Sequence, residues 1–252
     1  STRDIVVTVG ATVTTAAVAT AIAEAWNGDE ITGNATRSET GDNIPEFAEI
    51  TATLPSASVV LLTGNTKGRP FTVSVTESTA STGTATGAVV TAATGPNHYD
   101  NADNWDSGAL PADGDTVYVD NSSVGILYGL DQSLIELAEL HVALSFTGEI
   151  GLPEINAEGG YHEYRSQYLT IGPVILKIGA GAGNGSGRLK INSGADVAAV
   201  TVFNTGSSAG AVDAGAWWRY RFDQSGPRTS PVLPANPRVD APPLDLPRHE
   251  LV

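Results

Sequence analysis

Residues 169–204, LTIGPVILKIGAGAGNGSGRLKINSGADVAAVTVFN, decide the fold class. Four short apolar alternations run through them: Leu169-Thr170-Ile171, Leu176-Lys177-Ile178, Leu189-Lys190-Ile191 and Val200-Thr201-Val202. They are closed by Gly172, Gly179, Asn192 and Asn204. An apolar residue at every second position turns one face to a core, and Gly or Asn supplies the turn that ends the run. Strands this short, closed this often, suit the coils of a β-helix-like stack or a β-sandwich with many turns. The runs start 7, 13 and 11 residues apart, which is too irregular for a sequence repeat. A stack needs only its inward positions to match, so the β-helix-like reading is favoured over the sandwich.

Outward from that stretch the chain divides into three segments. Residues 96–215 form the β-rich domain, opening at Thr94-Gly95-Pro96. Residues 1–95 read as a small domain with one helix on an antiparallel sheet. In it Asp4–Val9 (DIVVTV) is a short β-branched run, and Thr14 or Thr15 caps a helix over 16–26. Val18, Ile22 and Trp26 share one face of that helix, and Asn27-Gly28 ends it. The runs 47–54, 58–63 (SVVLLT) and 71–76 (FTVSVT) read as strands, with Gly64 and Gly68 between the last two. The expected fold is therefore mainly β, with a helix-bearing N-terminal module.

From Trp217 the chain changes character, to WWRYRFDQSGPRTSPVLPANPRVDAPPLDLPRHELV. Seven of the 14 prolines lie between Pro227 and Pro247, which forbids helix and central strand and leaves an extended arm over 216–252. An arm so poor in self-contacts orders by lying on something else, and a neighbouring subunit is the nearest surface. Trp217, Trp218, Arg219, Tyr220, Arg221 and Phe222 interleave aromatics with arginine, as protein interfaces do. With Pro231, Pro234 and Pro237 they form the candidate subunit interface. Local core packing and stacking on single-stranded nucleic acid or glycan are the other readings of this cluster. The arm carries a net charge of +1, so the body before it carries −16. That body argues against nucleic acid and offers the arm a complementary surface.

The whole chain, 252 residues with 28 acids against 13 bases, has a net charge of −15. This argues against tracking along nucleic-acid phosphates and against docking on an anionic membrane. The absence of cysteine removes disulfides, thiolate metal sites and thiol nucleophiles. The longest apolar stretch, 16–26, is too short to span a bilayer. The opening Ser1-Thr2-Arg3 carries no basic-then-apolar leader, so the expectation is a chain made in the cytoplasm with no retained signal.

Two further stretches carry a resemblance. Pro45-Glu46-Phe47-Ala48-Glu49-Ile50-Thr51-Ala52, followed by residues 59–73 (VVLLTGNTKGRPFTV), resembles the small α/β module of tailed-bacteriophage structural proteins. Thr94–Trp105 (TGPNHYDNADNW), followed by Leu110-Pro111-Ala112-Asp113-Gly114-Asp115-Thr116-Val117, is similar to the opening of many β-helix surface and phage proteins. Together they cover roughly residues 5–125 and continue more weakly to about 205; the tail matches neither. The resemblance implies a structural virion protein of a tailed phage or prophage, made in the host bacterial cytoplasm. It would assemble with identical subunits and other virion proteins, without enzymatic activity or cofactor. The second motif also has a physical reading as a structural cap: Asn104 and Trp105 plug the open end of a β-stack, while Pro111, Gly114 and Asp115 set the turn before its first strand.

Other candidate sites have bland explanations beside them. Asp100, Asp103 and Asp106, with Asp113, Asp115 and Asp120, offer hard oxygen ligands for Ca²⁺. They lack EF-hand spacing, and Asx turns account for them, so no metal site is assigned. Glu154, Glu158 and Glu163 lie near His162, Tyr161, Tyr164 and Tyr168, which is the raw material of a glycan-cleaving site on a β-helix. A solvated loop packing its tyrosines is the alternative, and no residue is assigned as catalytic. His98, His141 and His249 have no zinc spacing. The glycines of 179–187 follow a strand and precede another, so they are not a dinucleotide loop. A glycan-binding or glycan-cleaving tail fibre or spike is the competing function. An extracellular adhesin, whose stability would depend on calcium, is the third.

Overall fold

The structure is a computed structural model; it describes residues 5–7, 13–31, 45–77, 84–193, 198–203 and 248–250. The chain is mainly β and forms two compact units. The first comprises residues 1–93 with 153–165, the second residues 94–152 with 166–252.

In the first unit, helix α1 (Thr15–Asn27) starts where Thr14 Oγ1 accepts the Ala17 N–H at 3.3 Å. It stops at Gly28, whose left-handed conformation (φ 79°) lets its N–H return to the Glu24 carbonyl. The buried side of the helix is the one expected, centred on Val18, Ile22 and Trp26 with buried alanines on both flanks. Ala19 and Ala23 on one flank and Ala21 and Ala25 on the other are buried, and the larger Val18, Ile22 and Trp26 between them are half-buried. Small alanines let the helix approach closely, and Trp26 meets Phe47 edge-on at 4.7 Å.

Strands β1 (Ile50–Ser56) and β2 (Val59–Gly64) pair antiparallel, from Ile50↔Gly64 to Ser56↔Val59. Ile50 and Ala52 are buried, while Leu54, Val59 and Leu61 are exposed. The Asn27 amide joins helix to sheet: its Oδ1 accepts the Ala52 N–H at 2.9 Å and its Nδ2 donates to the Ala52 carbonyl at 3.0 Å. Two expected strands are corrected here. Phe71–Thr76 is not in a ladder, and Val73 and Val75 are exposed. The described part of the first run, Ile5–Val7, also lies outside any strand. Alternation gives a strand its two faces but supplies no pairing edge, and Phe71–Thr76 finds none.

Among its described residues the second unit pairs in parallel. Its strands are β3 (Thr116–Val119), β4 (Asp131–Ala143), β5 (Leu169–Ala180), β6 (Ile191–Asn192), β7 (Ala199–Val202) and β8 (Arg248–Glu250). Three ladders run through them. In one, Val117, Leu140, Leu176 and Val200 are successive partners, as are Val119, Val142, Ile178 and Val202. In another, Asp131 pairs Thr170, which pairs Asn192. In the third, Ile126, Ile150 and Leu189 form single bridges, with His98 bridging Tyr128 beside them. The chain visits the third, second and first ladders in that order, three times between Ile126 and Val202. Every pass turns apolar side chains inward: Val117, Leu140, Ile150, Ile171, Leu176, Ile178 and Leu189 are at most 1% exposed.

Leu169–Ile171 and Leu176–Ile178, separate runs in the sequence reading, belong to one 12-residue strand. At Gly172-Pro173 the register of that strand with β4 shifts. Opposite, Ser133, Leu134 and Ile135 of β4 have no counterpart between Gln132↔Ile171 and Glu136↔Gly172. Proline, with no N–H to give a ladder, is tolerated beside such a bulge. At the far side of β3 lies β8, in parallel register with Thr116↔Arg248, Val117↔His249 and Tyr118↔Glu250.

Candidate functional site

The carboxylate- and tyrosine-rich stretch after Leu152 is a hairpin belonging to the first unit. Ile155 bridges His162 antiparallel. The Glu163 N–H bonds the Glu154 carbonyl, and the Asn156 N–H the Tyr161 carbonyl. Asn156 builds the tip, its Oδ1 accepting the N–H groups of Glu158 and Gly159.

The hairpin is held by an ionic cluster centred on Glu49, at the end of the short 3₁₀ turn Phe47–Glu49 that leads into β1. Glu49 accepts from Arg69 Nη1 at 3.0 Å, from Tyr164 Oη at 3.2 Å, and from Tyr161 Oη and Arg165 Nη2. Arg165 also donates Nε to the Pro70 carbonyl at 2.6 Å and Nη1 to Glu163 at 2.9 Å. Its guanidinium lies 4.3 Å from the Tyr164 ring centroid. Glu163, whose side chain is 1% exposed, spends its second oxygen on Asn156 Nδ2 at 3.1 Å. Arg69 bridges onward to Glu158 at 2.7 Å.

Burial alone would raise the Glu49 carboxyl pKa. Hydrogen bonds from Tyr161 and Arg165, with the charges of Arg165 and Arg69, outweigh it and hold the group below the usual carboxylate range. Burial, then the hydrogen bond to Glu49, pushes the Tyr161 hydroxyl well above the ordinary phenol value. Arg165 is raised as well: burial opposes its charge, but its bonds to Tyr161 and Glu49 prevail. The charges of Glu49, Glu163, Arg69 and Arg165 thus each face an opposite one, and the cluster clasps the hairpin to the turn before β1. Sequence reasoning gathered Glu158, Glu163, Tyr161 and Tyr164 but missed Glu49, Arg69 and Arg165. No local pattern ties Glu49 to a guanidinium 116 residues away. Of the same set, Glu154 and His162 are exposed. Tyr168 lies in the second unit, where Lys190 Nζ sits 5.2 Å from its ring centroid.

The residues read as a cap lie in and around the core of the second unit. Trp105, 2% exposed, donates Nε1 to the Tyr99 carbonyl at 2.9 Å and meets the Tyr99 ring edge-on. Both rings pack in the cluster that holds Val117 and Leu140. Asn104 Nδ2 donates to the carbonyls of His98 (2.6 Å) and Gly95 (3.0 Å). Pro111 is buried, and Gly114 takes the left-handed conformation (φ 82°) while its N–H bonds the Glu136 carbonyl. Asp115 closes the turn by accepting the Ala112 N–H at 2.8 Å, and Asp113 accepts that of Glu136 at 2.8 Å. Among the described residues no group of three or more His, Asp or Glu side chains is placed to hold a metal ion.

On the outer side of the first ladder, Tyr118 stacks on His141 at 4.5 Å. His141 Nε2 and Lys177 Nζ both reach Glu139 Oε2, at 2.5 and 2.7 Å. Burial tends to raise the Glu139 carboxyl, but the bonds from Lys177 and His141 hold it below its usual range. His98 packs against Tyr128 and faces Asp100 Oδ1 at 3.4 Å. The interface candidates Trp217, Trp218, Arg219, Tyr220, Arg221, Phe222, Pro231, Pro234 and Pro237 lie outside the described residues. No described helix is long and apolar enough to cross a membrane. Comparison with protein-family models, curated proteins and solved structures gives no match.

Proposed function

We propose that this chain is a non-enzymatic structural protein of a tailed-phage or prophage virion. In this reading its second unit is a short β-helix-like stack, and copies assemble through the C-terminal arm. The observation that carries it is the edge of β3, the first strand of the parallel sheet, which takes a strand from the far C-terminus. A parallel stack ends in unpaired backbone groups, and such edges are natural assembly surfaces. The ladder order favours the β-helix-like form over a sandwich, whose sheets are ordinarily antiparallel. The clasp supports a structural role too, since its carboxylates Glu49 and Glu163 are engaged by Arg165. The partners in this reading are identical subunits and other virion proteins, with no direct nucleic-acid or membrane contact, and the place of residence is the virion.

Deleting residues 216–252 tests the role of the arm. The expected product is a folded body with native circular dichroism that assembles poorly; normal assembly of the truncated chain would remove the arm from the account. A glycan-binding or glycan-cleaving spike remains the competing reading, favoured by the near-parallel Tyr161 and Tyr164 rings 6.1 Å apart beside Glu49. It requires signal on a glycan array or release of reducing ends.

A further inference from the structure

The strand that closes the edge of β3 comes from the opposite end of the unit's chain. Between β7, ending at Val202, and β8, starting at Arg248, lie 45 residues carrying seven of the chain's 14 prolines. A polypeptide of that length spans about 37 Å as a random coil and up to ~140 Å when extended in a polyproline conformation. The pairing itself is confined to three register positions, Thr116↔Arg248, Val117↔His249 and Tyr118↔Glu250. A short strand on a long tether makes the same backbone bonds whether it lies on its own β3 or on that of a second copy. The exchanged form therefore costs little in contact energy, and concentration decides between them.

We propose that β3 is a strand-acceptor site whose occupant in the assembled state is the Arg248–Glu250 strand of a second copy of this chain. This rests on the assembly reading above and gives it a mode: parallel strand addition to a sheet edge, with backbone N–H and C=O groups supplying most of the affinity. Charge favours the exchange. The segment from residue 216 onward carries +1 and each body −16, so a donated arm offsets some of the repulsion between bodies. The prolines limit the conformational freedom lost when the tether is drawn between copies. The site has a direction: each chain donates at its C-terminus and accepts at β3, so the contact is self-complementary in a closed dimer and propagates head-to-tail in a ring or tube.

Because the chain contains no cysteine, single thiols can be placed cleanly. Full-length chains bearing Tyr118→Cys are mixed with full-length, mass-tagged chains bearing Glu250→Cys, allowed to assemble, and treated with a short bismaleimide. Paired strands lie about 4.8 Å apart, within its reach. Thr116→Cys with Arg248→Cys repeats the test at a second register position, and circular dichroism confirms that each variant folds. The expected result is a cross-linked species at the summed mass of the two different chains, appearing only in samples where mass photometry shows assemblies. The double variant Tyr118→Cys/Glu250→Cys distinguishes the failures. If it links only within one chain while assemblies are present, exchange is overturned and the assembly reading survives. If it links only within one chain and no assemblies form, both fall. Absence of any link at either position, in folded chains, overturns β3 as the acceptor.

Discussion

Glu49 lies beneath two guanidinium groups and two phenols, and its side chain is 11% exposed. Removing Glu49 takes a shared acceptor from Arg69, Arg165, Tyr161 and Tyr164 at once, although Arg69 keeps Glu158 and Arg165 keeps Glu163. Glu49→Ala is therefore expected to destabilise the first unit by about 3 kcal/mol, read as a lower urea midpoint in the near-ultraviolet signal of its aromatics. The same carboxyl makes the unit acid-sensitive. Its folded pKa lies below the unfolded value, so its contribution is complete above the unfolded pKa and is lost as pH falls through the lower, folded one. The wild-type protein should lose stability as the pH drops below about 4.5, the ordinary glutamate value, and Glu49→Ala should flatten that part of the profile. An unchanged profile in the variant would move the acid sensitivity elsewhere. Glu139, bonded to His141 and Lys177 on a more open face, is 28% exposed and should matter much less.

At the scale of elements, the joints are made by single side chains. Asn27 pairs with both backbone groups of Ala52, so Asn27→Ala leaves an N–H and a C=O without those partners and is expected to cost about 2 kcal/mol. Trp105→Ala removes a fully buried ring from the core of the second unit. A loss of about 3–5 kcal/mol is expected in that unit's unfolding transition. A loss under 1 kcal/mol would mean that the ring does not seal the core. How far these elements were legible in the sequence follows from how local their causes are. Thr14, Gly28, Gly114 and Asp115 act within a turn of chain, and they were read from residue type. The apolar alternations that build the stack were read too, because each run carries its own inward face. Phe71–Thr76 misled because a strand also requires an edge to pair with. The break placed at Gly172 misled because its ladder continues past a register shift taken up by three residues of the neighbouring β4. Arg165 was invisible because its partner, Glu49, lies more than a hundred residues upstream.

For the whole molecule, charge and topology pull against each other. Copies carrying −15 repel, which keeps free chains soluble and opposes their assembly. The parallel sheet with its C-terminal strand on β3 invites association. Added salt screens the repulsion without touching backbone pairing, so assembly should strengthen as ionic strength rises. The most direct test of the assembly account is negative-stain microscopy of the purified full-length protein, with mass photometry on the same sample across a salt series. Uniform rings, tubes or closed oligomers that grow more abundant with salt are the expected result, and their symmetry would separate tube from decoration. A clean monomer at every salt and protein concentration would contradict the account.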